Sequence, residues 1–191
     1  MSEYPMNQDS YSNQLLVLPS QRDHYQGRLD APVVLVKYGN YQCPQCGELH
    51  RSIQVIQQHF ASVFPGENWI CVVFRHFIEN TLHPHARKAA EVVESAASQG
   101  QFWAMHDLLF THQQALENGF LVEYADSLGL DISQFLQAIS TQAHIGRINQ
   151  DIESGYQSGV TVAPALFING IRYSDRWTVE QIMAAIDAAI Y

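Results

Sequence analysis

Apolar positions along the chain fall into two rhythms. Pro32-Val33-Val34-Leu35-Val36-Lys37-Tyr38-Gly39 is a nearly continuous apolar, β-branched run. A run of this length reads as a strand buried on both faces. It breaks at Gly39-Asn40. Leu49, Ile53, Ile56 and Phe60 then recur at three- and four-residue steps, which predicts a helix over roughly 43–61. Pro44 suits its first turn, where a missing N–H is not needed. Trp69 to Phe77 is a second buried strand pattern. Strand, helix and strand with a short return predict a parallel pair joined by a right-handed crossover.

From His85 to about Ser158 the pattern is helical. Ala86, Ala89, Ala90, Val93, Ala96 and Ala97 share one face, closed by Gln99-Gly100. Phe102 to Leu109, Leu121 to Leu128, Ser133 to Ile139 (with Asp131 as N-cap) and Ile145 to Tyr156 predict four more helices. Val160 to Ile168 is extended and leads into a strand. Asn169-Gly170 is a strong hairpin signal, with Ile171-Arg172-Tyr173 as the returning strand. Thr178 caps a last helix on which Ile182, Ala185, Ile186 and Ala189 share a face. Residues 1–27 read as a polar lead-in with a short edge strand around Leu15 to Leu18. The expected architecture is α/β: a βαβ half at 28–84, a large α-helical insertion at 85–158, and a ββα half at 159–191.

A chain of 191 residues with 47% hydrophobic and 15% charged residues is globular and long enough for a sizeable core. The net charge of −9, with ten scattered Lys and Arg, excludes a nucleic-acid partner, which needs clustered cations. Leu15 to Leu18 is too short for a signal core or a membrane span. The polar start therefore predicts a cytoplasmic chain with no membrane span. A periplasmic chain already relieved of its signal would look the same.

The chemistry concentrates at Cys43-Pro44-Gln45-Cys46. Cysteine attacks a disulfide as thiolate, and Cys-x-x-Cys sites at helix starts lower the thiol pKa to about 3.5–7.5. Helix N-termini favour negative charge because their N–H groups are unpaired. Cys43 is thus the expected nucleophile. Cys46, one turn later and deeper, can attack a mixed disulfide on Cys43 and release the substrate. A zinc- or metal-binding module is the alternative. It needs four ligands, which Cys71, His83 and His85 would have to complete from distant segments. A non-redox interaction domain is a further alternative.

Tyr41-Gln42-Cys43-Pro44-Gln45-Cys46, Phe74-Arg75-His76-Phe77, His83-Pro84-His85-Ala86, Phe102-Trp103-Ala104-Met105-His106-Asp107 and Val160-Thr161-Val162-Ala163-Pro164 together resemble the soluble DsbA-like thiol–disulfide oxidoreductases of the thioredoxin fold. The resemblance covers about residues 25–190. It implies a thioredoxin fold with a helical insertion, Cys43 as nucleophile and Cys46 as resolving thiol. It implies that Pro164 is a cis-proline beside them, with the Ala163 backbone pairing to an extended substrate. The implied partners are protein or small-molecule disulfides and dithiols, with no cofactor, since the two sulfurs store the electrons. Glutathione conjugation on the same fold would need neither cysteine.

Two positions depart from that family. Six residues before the first cysteine the family usually carries an acid that relays a proton; here it is Lys37. A lysine there could favour thiolate, be neutralised by burial, or snorkel to solvent. Gln45 cannot bear charge, so it predicts a less oxidising pair than relatives with histidine there. Tyr41 and Gln42 are expected to rim the substrate surface. Cys71, in a strand pattern, reads as packed and inert. His76 reads as packed, and Phe102, Trp103 and Met105 read as core.

Overall fold

A computed structural model describes residues 13–78 and 83–190. Its elements run β1 (His24–Gln26), β2 (Val33–Gly39), α1 (Pro44–Val63), β3 (Ile70–His76), α2 (Ala86–Ala97), α3 (Phe102–Thr111), α4 (Asn118–Ser127), α5 (Ile132–Ser140), α6 (Ile145–Gln157), β4 (Ala165–Ile168), β5 (Ile171–Tyr173) and α7 (Val179–Ile190). The strands form one sheet ordered β1-β3-β2-β4-β5. β2 and β3 are parallel, with α1 as the crossover between them. β4 runs antiparallel to β2, and β5 to β4. Asn169 and Gly170 turn that hairpin with φ of 47° and 82°, the two positive angles a type I′ turn requires.

The central strand explains its own sequence. β2 has a partner on each side and helices over both faces, so all its residues but Val34 are buried. Val33 and Leu35 pack with Ile53 and Ile56 of α1 and Ile182 and Ile186 of α7. Val36 and Tyr38 pack in a second cluster with Ala89 and Val93 of α2 and Phe167 of β4. The two-residue period of a strand then turns Lys37 and Gly39 toward α1. Helices α2 to α6 all lie between β3 and β4 in the chain, and each predicted helix is present within a few residues of its expected bounds.

The start of the chain differs from expectation. No strand forms at Leu15 to Leu18. Gln14 instead makes an isolated bridge to Ile171, and the buried Leu15 donates its N–H to the Gly170 carbonyl at 2.8 Å. The extra strand is β1, antiparallel to β3 on the opposite edge. Thus His24–Gln26, within the segment read as a lead-in, belongs to the sheet. His24-Tyr25-Gln26 carries no apolar run, so its pattern did not announce a strand. It is fixed by side chains from elsewhere. Arg75 holds Asp23 at 2.7 and 3.2 Å, the Val17 carbonyl at 2.8 Å and the Tyr38 hydroxyl at 2.8 Å.

Glu94 of α2 ties the same region together. Its carboxylate meets His24 of β1 at 3.0 Å, His76 of β3 at 2.9 Å and Arg147 of α6 at 3.2 Å. Burial would raise the Glu94 pKa, but the hydrogen bonds from His24 and His76 outweigh it and hold the carboxyl well below the usual range.

α6 packs close to the sheet end because Gly155 has no side chain. A Cβ there would stand 2.7 and 2.9 Å from the Phe77 ring and 3.2 Å from Tyr38. Gly155→Ala should therefore destabilise the fold by about 1–3 kcal/mol through overpacking. Urea unfolding would show a lower midpoint with an unchanged slope.

Candidate active site

Cys43 is the N-cap of α1, with extended backbone angles of −77° and 117°. Its sulfur, where a serine or aspartate oxygen usually sits, accepts the Cys46 N–H at 3.2 Å. The approach to the cap is shaped by Asn40, whose side-chain oxygen accepts the Gln42 N–H at 3.1 Å and the Cys43 N–H at 3.0 Å. Such side-chain turns are a habit of asparagine. Gln113, just beyond α3, donates to the Tyr41 and Cys43 carbonyls at 2.9 and 2.8 Å. Gly47 leaves room for it, since a Cβ there would stand only 2.1 Å from the Gln113 amide oxygen. Neither Asn40 nor Gln113 was singled out from the sequence. Asn40, three residues before a helix-capping cysteine, was legible as a turn residue; Gln113 arrives only through tertiary packing.

Across from the cap lies the loop before β4. Ala165 pairs with Tyr38, so Ala163 and Pro164 flank the end of β2 from which the cysteine loop departs. The Ala163–Pro164 bond is cis. The Cys43 thiol donates to the Ala163 carbonyl at 3.7 Å. Pro44, Gln45, Thr161 and Val162 are exposed around this point, while Cys43, Ala163 and Pro164 are buried. Cys46 is 0% exposed. Its burial pushes the thiol well above the ordinary cysteine range, with the neighbouring Cys43 adding to this and Lys37 opposing it.

Lys37 does not snorkel. It is 2% exposed, and its ammonium lies 4.4 Å from the Phe110 ring centre and 5.2 Å from that of Phe74. Burial pulls its pKa from 10.5 down to about 7, against the attraction of Cys46 and Asp107. Neutralisation by burial, one of the three expected outcomes, is the one this burial favours, against the pull of the two neighbouring acidic groups.

Tyr41 is a correction: it is fully buried and not on a rim. Its hydroxyl shares a 2.8 Å hydrogen bond with His106 Nδ1, and its ring packs on Phe110 and Phe74. A residue two before Cys43 was assigned to the surface by proximity alone, but the Asn40 turn sends it inward. Gln42 is half-buried and accepts the His85 N–H at 2.7 Å, so it fastens the start of α2. His76 and Cys71 are buried as expected, and burial pushes the Cys71 thiol up to about 11.

Behind Cys46 stands a polar group the sequence did not reveal. His50, one turn along α1, meets Asp107 of α3 at 3.5 Å, and its ring lies 5.2 Å from that of His106. Burial, Lys37 and Arg51 push His50 down to about 3, and burial pushes His106 well below its ordinary value. Among the described residues, His50, His106 and Asp107 form the one set with ligand atoms close enough to share a metal ion. None of Cys43, Cys46, Cys71, His83 or His85 belongs to it.

A family model described as Thioredoxin matches residues 20–188. The chain is 37% identical over 168 residues to the Na(+)/H(+) antiporter NhaA 3 of Salinispora tropica, and 38% identical over 169 residues to the Na(+)/H(+) antiporter NhaA 1 of Mycolicibacterium vanbaalenii. Those alignments cover 88% and 87% of this chain but 25% and 26% of the relatives. The chain thus spans about a quarter of the length of the curated relatives it matches. Among solved structures it resembles oxidised BdbD from Bacillus subtilis, with a TM-score of 0.77, 18% identity and coverage of 93% of this chain and 98% of that one. Wolbachia pipientis alpha-DsbA1 gives 0.77 and 21%, covering 94% and 96%. The catalytic domain of Proteus mirabilis ScsC gives 0.72 and 17%, covering 90% of each. At such identities these likenesses show a shared fold.

The buried amine has a consequence for stability. An unfolded chain keeps the Lys37 proton up to about pH 10.5, whereas the folded chain loses it above about pH 7. Between those values the unfolded state binds more protons, so this group makes stability rise with pH and contributes no slope below about 7. Lys37→Met should therefore be more stable than the parent at pH 7, by about a few kcal/mol. Urea unfolding should show the advantage shrinking as pH rises toward 10.

Proposed function

The chain belongs to the thioredoxin family, and on that premise we propose that it is a DsbA-like thiol–disulfide oxidoreductase working through Cys43 and Cys46. The observation that carries the reading is the Cys43 sulfur as N-cap of α1, 3.7 Å from the Ala163 carbonyl, with Cys46 one turn behind it. An N-cap sulfur receives an N–H and the positive end of the helix, both of which favour thiolate.

In this reading Cys43 attacks a substrate disulfide and forms a mixed disulfide. Cys46 then attacks Cys43, and the substrate leaves as a dithiol. Run in reverse, the same steps oxidise a substrate. Pro44 and Gln45 form the exposed face of the active-site loop. Ala163 and Pro164 serve as the platform against which an extended substrate segment lies, in the manner of an added strand. The exposed Val162, at 53%, offers that segment an apolar contact. Protein disulfides are the favoured substrate class, since an extended chain uses this platform more fully than a small disulfide does. No cofactor enters, because the two sulfurs hold both electrons. Among the described residues no helix is long and apolar enough to cross a membrane.

Cys43→Ser should abolish turnover in an insulin-reduction or dithiol-oxidation assay. Cys46→Ser should keep the first attack and accumulate mixed disulfides, visible by mass spectrometry as adducts on Cys43. Full turnover by the Cys43→Ser protein would remove the proposal.

A further inference from the structure

The helices α1 and α3 carry a set of donors that disulfide exchange does not use. His50 lies on α1, four residues after Cys46, and His106 and Asp107 are neighbours on α3. The two histidines are buried and Asp107 is half-exposed. Their ligand atoms all lie within 4.8 Å of one another. The three side chains line one cleft of about 360 Å³, together with Lys37, Gln54 and Gln57.

The spacing of this group fits a shared cation better than a hydrogen-bonded cluster. His50 Nε2 stands 3.5 Å from Asp107 Oδ1. That is long for an N–H···O bond, which closes to about 2.7–3.2 Å. It is close to the separation of about 3.3–3.4 Å between two ligands of a tetrahedral zinc ion held at about 2.0–2.1 Å. Glu94 makes the contrast: its carboxylate is closed against His24, His76 and Arg147 at 2.9–3.2 Å.

The second shell is also in place. His106 commits Nδ1 to a 2.8 Å hydrogen bond with the buried Tyr41 hydroxyl, which leaves Nε2 for an ion. Histidines that ligate metals almost always have their other ring nitrogen fixed in this way. Burial holds both imidazoles neutral, the form that ligates. Two imidazoles and one carboxylate are the donor set of zinc sites that keep a fourth position open, and the cleft gives water access to that position.

We propose that His50, His106 and Asp107 form a binding site for one divalent transition-metal ion, zinc foremost, separate from the cysteine pair. One nitrogen from each histidine and one oxygen of Asp107 hold the ion, and water completes its shell. Magnesium and calcium are disfavoured, since they require mostly oxygen ligands. Lys37 opposes the site: it lines the same cleft, and its ammonium repels a cation there. Burial already weakens its hold on that proton, and an arriving dication drives the proton off.

The site is tested in the full chain carrying Cys43→Ser and Cys46→Ser, so that the pair cannot bind the probe. Calorimetric titration with zinc chloride should show about one equivalent bound with a Kd of about 10 μM or tighter. Asp107→Asn, which keeps the size of a half-exposed side chain, should weaken binding by about a hundredfold, and Tyr41→Phe by about tenfold. Lys37→Met should tighten binding by about tenfold, because it removes the opposing charge. Cobalt(II) in place of zinc should give the strong visible bands of four-coordinate geometry, and His50→Gln should lose them. No saturable uptake below about 1 mM zinc, or equal uptake by Asp107→Asn, would overturn the inference. Zinc uptake by the parent that disappears in the double-serine protein would place the ion on the cysteine pair and overturn it as well. Thiol–disulfide exchange by Cys43 and Cys46 is assayed without added metal, so the oxidoreductase reading stands or falls separately.

Discussion

The Cys43 sulfur caps its own helix. A sulfur that accepts the Cys46 N–H at 3.2 Å must sit at the first turn of α1 with extended backbone, and much of the nearby structure serves that position. Asn40 turns the chain out of β2 by accepting the Gln42 and Cys43 N–H groups. Gln113 reaches from beyond α3 to hold two carbonyls of the loop, and Gly47 leaves space for it. The register of β4 on β2 then brings Ala163 against the capped sulfur. The helical block is thus more than an insertion over the sheet: α3 and the residues after it hold the loop from above while the sheet holds it from below.

The second theme is charge kept inside. The molecule is acidic overall, and two of its buried polar clusters contrast in charge. Around Glu94, two histidines and an arginine join β1, β3, α2 and α6, and their role is structural. Around Lys37 the polarity is reversed: a single cation lies among aromatic rings and neutral histidines, with only half-exposed Asp107 as counter-charge. A fully desolvated lysine gives up stability.

Much of this was readable in the sequence, and the limits have physical causes. The two apolar runs, the helical periods and Asn169-Gly170 each encode structure locally, so β2, β3, the helices and the hairpin were found. The Cys-x-x-Cys pair suggested dithiol chemistry, and the spread of five short motifs pointed to the family. What was hidden depends on partners far along the chain. β1 is polar and exists because Arg75 and Glu94 anchor its surroundings. Tyr41 looked superficial because it lies two residues before Cys43, but the Asn40 turn buries it. The group formed by His50, His106 and Asp107 was not read from the sequence: His50 comes from α1, and His106 and Asp107, though part of one of the quoted motifs, meet it from α3 only in the fold.

The central claim, that Cys43 and Cys46 work as one dithiol, is tested most directly by their redox equilibrium against glutathione buffers, read by alkylation of each cysteine. The account predicts a single two-electron transition in which both cysteines change together and Cys71 does not take part. Cysteines that oxidise independently, or that stay reduced across the whole range, would contradict it.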